Sequence, residues 1–190
     1  GRCGFCRKPI YMRYFLVELM TACLFSATLY FFYSEMMILK VLCCGSLLII
    51  AGAIDYETFI IPDSITLLMV VMGLGFSLVD QLLMSVLLGV IFVGGGLYLL
   101  GLVMNFIYKK QTFGGGDVKL IIGVACFFGL SVSLMTIYIS FILGGLVGLF
   151  LLILRKKKKT DYIPFGPFIS CAALISIFFF DKIASFYMIF

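Results

Sequence analysis

Apolar residues fill long runs of this chain, and charge is confined to the gaps between them. Leu19 to Ser34, Val41 to Ile54, Ser64 to Val79, Gln81 to Tyr108, Leu120 to Leu154 and Tyr162 to Phe180 carry no charged residue. About 20 apolar residues cross a hydrocarbon core as a helix. The expected architecture is therefore an all-α polytopic membrane protein set in a lipid bilayer. The spans should fall near 14–33, 37–55, 64–80, 82–107, 117–130, 131–154 and 165–185, about seven in all. The stretch 117–154 is too long for one crossing and tight for two. Parity favours two, with the turn near Gly129 to Ser133 and a short first span.

Charge then orients the bundle. Arg2, Arg7, Lys8 and Arg13 precede the first span, Lys109, Lys110 and Lys119 flank a glycine loop, and Arg155 to Lys159 follow the sixth span. An odd number of crossings puts all three groups on one face, and of the 14 basic residues only Lys40 and Lys182 fall elsewhere. Short loops rich in Lys and Arg stay cytoplasmic. The amino terminus is expected inside, in a cytoplasmic (inner) membrane. The net charge of +5 records this orientation better than it suggests nucleic acid, which is not an expected partner.

Composition removes whole classes of chemistry. The 190 residues are 64% hydrophobic and contain no histidine, which excludes Ser-His-Asp and Cys-His catalysis and any His-metal site. Five of the seven cysteines fall in apolar runs and read as small core residues. Cys3 and Cys6 alone have ligand spacing, and they offer half of a four-ligand zinc site. Residues 1–13 read as the remnant of a cytoplasmic cysteine-containing segment whose upstream part is missing. This chain alone is expected to hold zinc poorly.

Two carboxylates stand out by depth. Asp55 ends the second apolar run and Asp117 opens the fifth, in "FGGGDVKL". Two crossings separate them, so both should lie at the cytoplasmic end of a helix. Close carboxylates cannot easily both ionise, so such a pair holds one proton between them. The ionised member can activate water while the protonated one donates to a carbonyl oxygen. That is aspartic proteolysis, which needs no histidine and no cofactor.

Gly114, Gly115 and Gly116 would allow unusual backbone angles and close approach of a substrate strand. Lys119 would favour negative charge at Asp117, together with the helix dipole. Glu57, two residues beyond Asp55, could attract a basic substrate. Each feature also has a plainer reading: glycine before Asp at a helix start is an ordinary cap, Asp63 after Pro62 caps the third helix, and Glu57 is a solvated loop charge. A transporter or channel relaying ions through paired carboxylates is the rival from another class, but its carboxylates should sit near the midplane.

These residues resemble the bacterial type IV prepilin peptidases. "FGGGDVKL" is similar to that family's GxGD motif, "AIDYETFIIPDSIT" to the segment with its first aspartate, "YIPFGPFIS" to a motif before the last helix, and "CGFCRKPIYMRYFLVELMTA" to the end of its cysteine domain. The four motifs run in order along nearly the whole chain. Presenilin-like proteases share GxGD but pair it with Tyr-Asp, whereas this chain reads Ile54-Asp55-Tyr56. Archaeal preflagellin peptidases share the dyad but generally lack the cysteine segment.

The resemblance implies that residues 14–190 form a transmembrane aspartic peptidase domain with Asp55 and Asp117 as its catalytic pair. It implies cleavage of the basic leader from prepilins or pseudopilins at the cytoplasmic face, in pilus assembly, secretion or competence. It also implies methylation of the new amino terminus with S-adenosylmethionine, and a four-cysteine metal site completed upstream. The chain departs from the family in lacking a preceding helix and second CxxC pair, and in placing Phe15 after Tyr14 where the family has Pro. Methyl transfer is accordingly expected to be weaker than proteolysis.

Overall fold

The computed structural model describes residues 11–108, 114–154 and 164–188. Cys3, Cys6, Lys109, Lys110 and the basic run Arg155 to Lys159 lie outside them. Every described element is helical: α1 (Met12–Phe31), α2 (Glu35–Thr58), α3 (Asp63–Val79), α4 (Leu83–Leu88), a π-helical turn (Gly89–Gly94), α5 (Gly95–Tyr108), α6 (Gly115–Ile153) and α7 (Gly166–Met188). Four of the helical rods are long and apolar enough to cross a membrane: Met12–Phe31, Glu35–Thr58, Leu83–Ile107 and Gly115–Ile153. Asp63–Val79 and Gly166–Phe180 are shorter apolar helices.

In lipid, apolar surface gains little by leaving its solvent, so helices associate by close packing. Bulky residues such as Tyr98, Phe106 and Phe150 face outward. The centre is built from Leu48, Met69, Leu120, Ile121, Phe127 and Ile169, all fully enclosed. Glycines let the rods approach there: a Cβ on Gly123 would lie 2.9 Å from Met69, and one on Gly73 would lie 2.8 Å from Cys126.

The long apolar stretch 115–153 is broken at Gly129, where φ is 75° and ψ −164°. These torsions are open essentially to glycine alone. The break costs backbone bonds, and serines replace them. Leu130 N–H donates to Ser85 Oγ at 3.0 Å, and Ser77 Oγ donates to Cys126 O at 2.6 Å. An unbroken helix would join that N–H and that carbonyl to each other. Ser133 Oγ donates to Gly129 O at 2.8 Å.

The break also reverses the chain. A straight helix would separate Asp117 from Gly144 by about 40 Å. Instead both lie near the start of α7. Asp117 is within electrostatic reach of Asp55, Asp55 binds Gly166, and Gly144 packs against Phe165. The expected turn near Gly129 to Ser133 thus coincides with a real interruption at its first residue.

Charged pairs sort to the two ends of the bundle. Arg13 meets Glu57 at 2.7 Å and Lys119 meets Asp63 at 2.6 Å, both pairs exposed at the end that carries Asp55 and Asp117. At the opposite end Lys40, only 3% exposed, pairs with Asp80 at 2.5 Å and lies over the ring of Phe128. The π-helical turn was not foreseen. It sits in a uniformly apolar run, where no polar period marks a change of helical pitch.

Gly129→Ala should destabilise the protein. It forces a side chain into torsions that cost roughly 1–3 kcal/mol, and the new Cβ would lie 2.3 Å from Ser85 Oγ. Thermal unfolding in detergent should show a lowered Tm. An unchanged Tm would mean that the reversal does not depend on this glycine.

Candidate active site

Asp55 occupies the last turn of α2, which ends where Phe59 turns left-handed at φ 56° and donates its N–H to Asp55 O. A carboxylate near a helix C-terminus meets the negative end of the dipole. The opposite end of another helix offsets this. Gly166 N–H, at the start of α7, donates to Asp55 Oδ2 at 2.8 Å. The side chain is 5% exposed.

Asp117 occupies the third position of α6, after the N-cap Gly114. Its N–H donates to Gly114 O at 3.1 Å, and the Gly114 amide bonds back to its carboxylate. Only the returning half of a capping box is present, because Gly114 has no side chain to accept the Asp117 N–H. The plain capping reading therefore describes part of what Asp117 does. It does not account for the second buried carboxylate: Asp117, 9% exposed, lies in electrostatic reach of Asp55. A cap has no use for such a neighbour, which only raises its cost.

Gly114 and Gly116 make room by lacking side chains, and none of the three glycines has a positive φ. Gly114 has an ordinary extended backbone, φ −73° and ψ 130°, and among described residues Gly129 is the only glycine with positive φ. A Cβ on Gly114 would lie 3.0 Å from Asp117 Oδ2. One on Gly116 would lie 3.1 Å from Ile61, a buried residue of the α2–α3 loop. Gly115 has open space around its Cα. Within the chain, what approaches Gly114 and Gly116 closely is Asp117 and Ile61.

The expected helpers point elsewhere. Residues two apart on a helix face different ways, so Lys119 turns from Asp117 to Asp63 and Glu57 turns from Asp55 to Arg13. Asp63 is the first residue of α3, after the N-cap Pro62, and makes no cap bond; its carboxylate takes Lys119 instead. Among the described residues no basic side chain pairs with Asp55 or Asp117, and no cluster of three or more His, Cys, Asp or Glu could hold a metal ion.

The site is thus two enclosed carboxylates from different helices, each held by a backbone amide next to a missing Cβ. Neither Gly166 nor Ile61 was singled out by residue type. They do lie within "YIPFGPFIS" and "AIDYETFIIPDSIT", where the Gly-Pro pair opens α7 and the Ile-Pro pair precedes α3.

Comparison with known proteins bears on the family of the chain. Residues 41–149 match the model of the type IV leader peptidase family, and residues 1–32 match that of the bacterial peptidase A24 N-terminal domain. The chain is 32% identical to a prepilin leader peptidase/N-methyltransferase of Aeromonas hydrophila over 193 residues, covering 99% of this chain and 66% of that protein. It is 31% identical to one of Legionella pneumophila, with the same coverage, and 32% identical to one of Neisseria gonorrhoeae, covering 92% of this chain and 60% of that protein. The chain spans a little under two thirds of the length of these relatives. No solved structure matches it significantly. A matching family model over more than half its length, across both buried aspartates, places the chain in the type IV leader peptidase family.

Proposed function

We propose that this chain is a membrane aspartic endopeptidase that cleaves the basic leader from type IV prepilins or pseudopilins at the cytoplasmic face, with Asp55 and Asp117 as its catalytic pair. The observation that carries this reading is the enclosed pair itself, two carboxylates within electrostatic reach and no basic partner among the described residues. Such a pair keeps one proton between two like charges. The ionised member takes a proton from water as the water attacks the scissile carbonyl. The other donates its proton to the carbonyl oxygen. When the tetrahedral species collapses, the leaving amine is protonated and the pair returns to its starting state.

The bundle supports a cytoplasmic site. We count the two arms of α6 as separate crossings, which makes seven spans, and take the amino terminus as inside because the Lys- and Arg-rich segments then share the cytoplasmic face. Arg13, Glu57, Asp63 and Lys119 then share the cytoplasmic end with the pair, and Lys40 and Asp80 mark the other. A prepilin, with a basic leader joined to an apolar helix, suits this site: the helix can lie against the bundle in the membrane while the leader stays at the rim. The exposed acids at that rim, Glu57 and Asp63, are engaged by Arg13 and Lys119. Relatives of this chain are named as N-methyltransferases as well as leader peptidases, and methylation of the new amino terminus with S-adenosylmethionine is proposed for the complete protein, with proteolysis as the reaction assigned to the carboxylate pair.

Incubation of the purified chain with a prepilin, followed by mass measurement of the products, should show release of the leader. Asp55→Asn and Asp117→Asn should each abolish cleavage while still inserting and folding. Asp63→Asn should retain it, since the exposed Lys119 pair contributes roughly 0–1 kcal/mol. Full cleavage by Asp117→Asn would refute the assignment. For orientation, cysteines introduced between positions 155 and 160 should resist an impermeant thiol reagent in intact cells, and one at position 80 should react. The opposite pattern would invert the topology.

A further inference from the structure

Gly166 makes contacts that ordinary helix packing does not explain. A Cβ built on it would lie 2.7 Å from Asp55 Oδ2 and 2.9 Å from both Cβ and Cγ of Asp55. All three nearest atoms belong to that one side chain. The backbone of Gly166 has no positive φ that would call for glycine. Space for the Asp55 carboxylate is therefore what excludes a side chain here.

The amide of Gly166 is equally particular. The first turn of a helix offers several unpaired N–H groups. In α7 most are spent: Phe168 N–H and Ile169 N–H both donate to Phe165 O, at 3.0 and 3.1 Å, and Pro167 has no N–H. Gly166 N–H remains, and Asp55 Oδ2 takes it. The start of α7 is itself fixed by Phe165, whose ring packs on Phe141 with centroids 5.5 Å apart and fills the space beside Gly144. The second arm of α6 thus sets Phe165, and Phe165 sets the amide that holds Asp55.

We propose that Gly166 is a positioning residue for Asp55: its N–H fixes Oδ2, and its missing Cβ lets the carboxylate approach, so that the other oxygen is directed to the reacting water. This inference rests on the reading of Asp55 as half of a catalytic pair. Gly166 touches neither water nor substrate in this role. It acts only through the orientation of Asp55, and that orientation governs the chemical step.

The test compares kcat and KM for prepilin cleavage by Gly166→Ala and Gly45→Ala. Gly45 is a control for packing, crowded by Leu24 and Leu174 away from the carboxylates. A carboxylate displaced by a fraction of an ångström to an ångström should lower kcat for Gly166→Ala roughly 10²-fold, with KM within about twofold of the parent. Gly45→Ala should keep kcat even where it lowers Tm. Unchanged kcat in Gly166→Ala, or equal loss in both variants, overturns the inference.

A second variant carries glycolic acid at position 166, introduced by cell-free suppression. It replaces the N–H by an ester oxygen and adds no atom, so it remains informative where Gly166→Ala does not fold. Its kcat should fall likewise, and unchanged kcat overturns the inference. If the parent chain cleaves no prepilin, the proposed function fails separately. The infrared bands of the Asp55 carboxyl, identified by difference from Asp55→Asn, then decide the positioning. A shift on ester substitution supports it, and unshifted bands overturn it.

Discussion

A carboxylate withdrawn from water must be met by donors from the protein, because lipid offers none. Two carboxylates drawn together make that demand harder, since each also repels the other. In this chain backbone amides meet the demand. Gly166 N–H, at the start of α7, serves Asp55, and Gly114, at the start of α6, serves Asp117. An amide at a helix start offers partial positive charge without adding a mobile cation. A lysine or arginine in the same place would neutralise the pair as a titrating unit. The described basic residues at this end, Arg13 and Lys119, are instead drawn off to Glu57 and Asp63.

That arrangement requires three helix ends to meet at one depth, and Gly129 makes this possible. Without the reversal, the chain after Asp117 would leave for the opposite face with no room to come back before α7. With it, the second arm of α6 returns, Phe165 seats against Phe141 and Gly144, and the start of α7 arrives beside the end of α2. The serines at 77, 85 and 133 carry the local cost of the break by bonding the groups it exposes. At the far end the pair of buried Lys40 with exposed Asp80 ties α2 to the end of α3, with Phe128 beside it. The two ends of the bundle are therefore built differently, one to hold the chain reversal and one to hold acids.

Much of this was legible because membrane depth converts sequence position into geometry. Counting crossings put Asp55 and Asp117 at one depth, and the run 117–154 signalled a break because no single span needs that length. Side-chain direction was less legible. Lys119 and Glu57 looked adjacent to the aspartates in sequence, yet two positions along a helix turns a side chain away. The glycines before Asp117 suggested unusual torsions, and the structure uses the small size of Gly114 and Gly116 instead. Asp63 looked like a cap because it follows Pro62, but Lys119 lies close enough to take its carboxylate. Gly166 was hidden for another reason. Its partner is 111 residues away, and a glycine before a proline at a helix start has an ordinary local explanation.

The claim on which all of this depends is that Asp55 and Asp117 share one site within a single chain. It can be tested without substrate. In a background lacking the seven native cysteines, Asp55→Cys and Asp117→Cys are combined and treated in membranes with a short bis-maleimide. Proteolysis between the two positions then shows whether the fragments stay joined. The account predicts efficient joining for this pair and none for Asp55→Cys with Asp80→Cys, whose positions lie at opposite ends of the bundle. No joining of positions 55 and 117, or equal joining in both pairs, would contradict it.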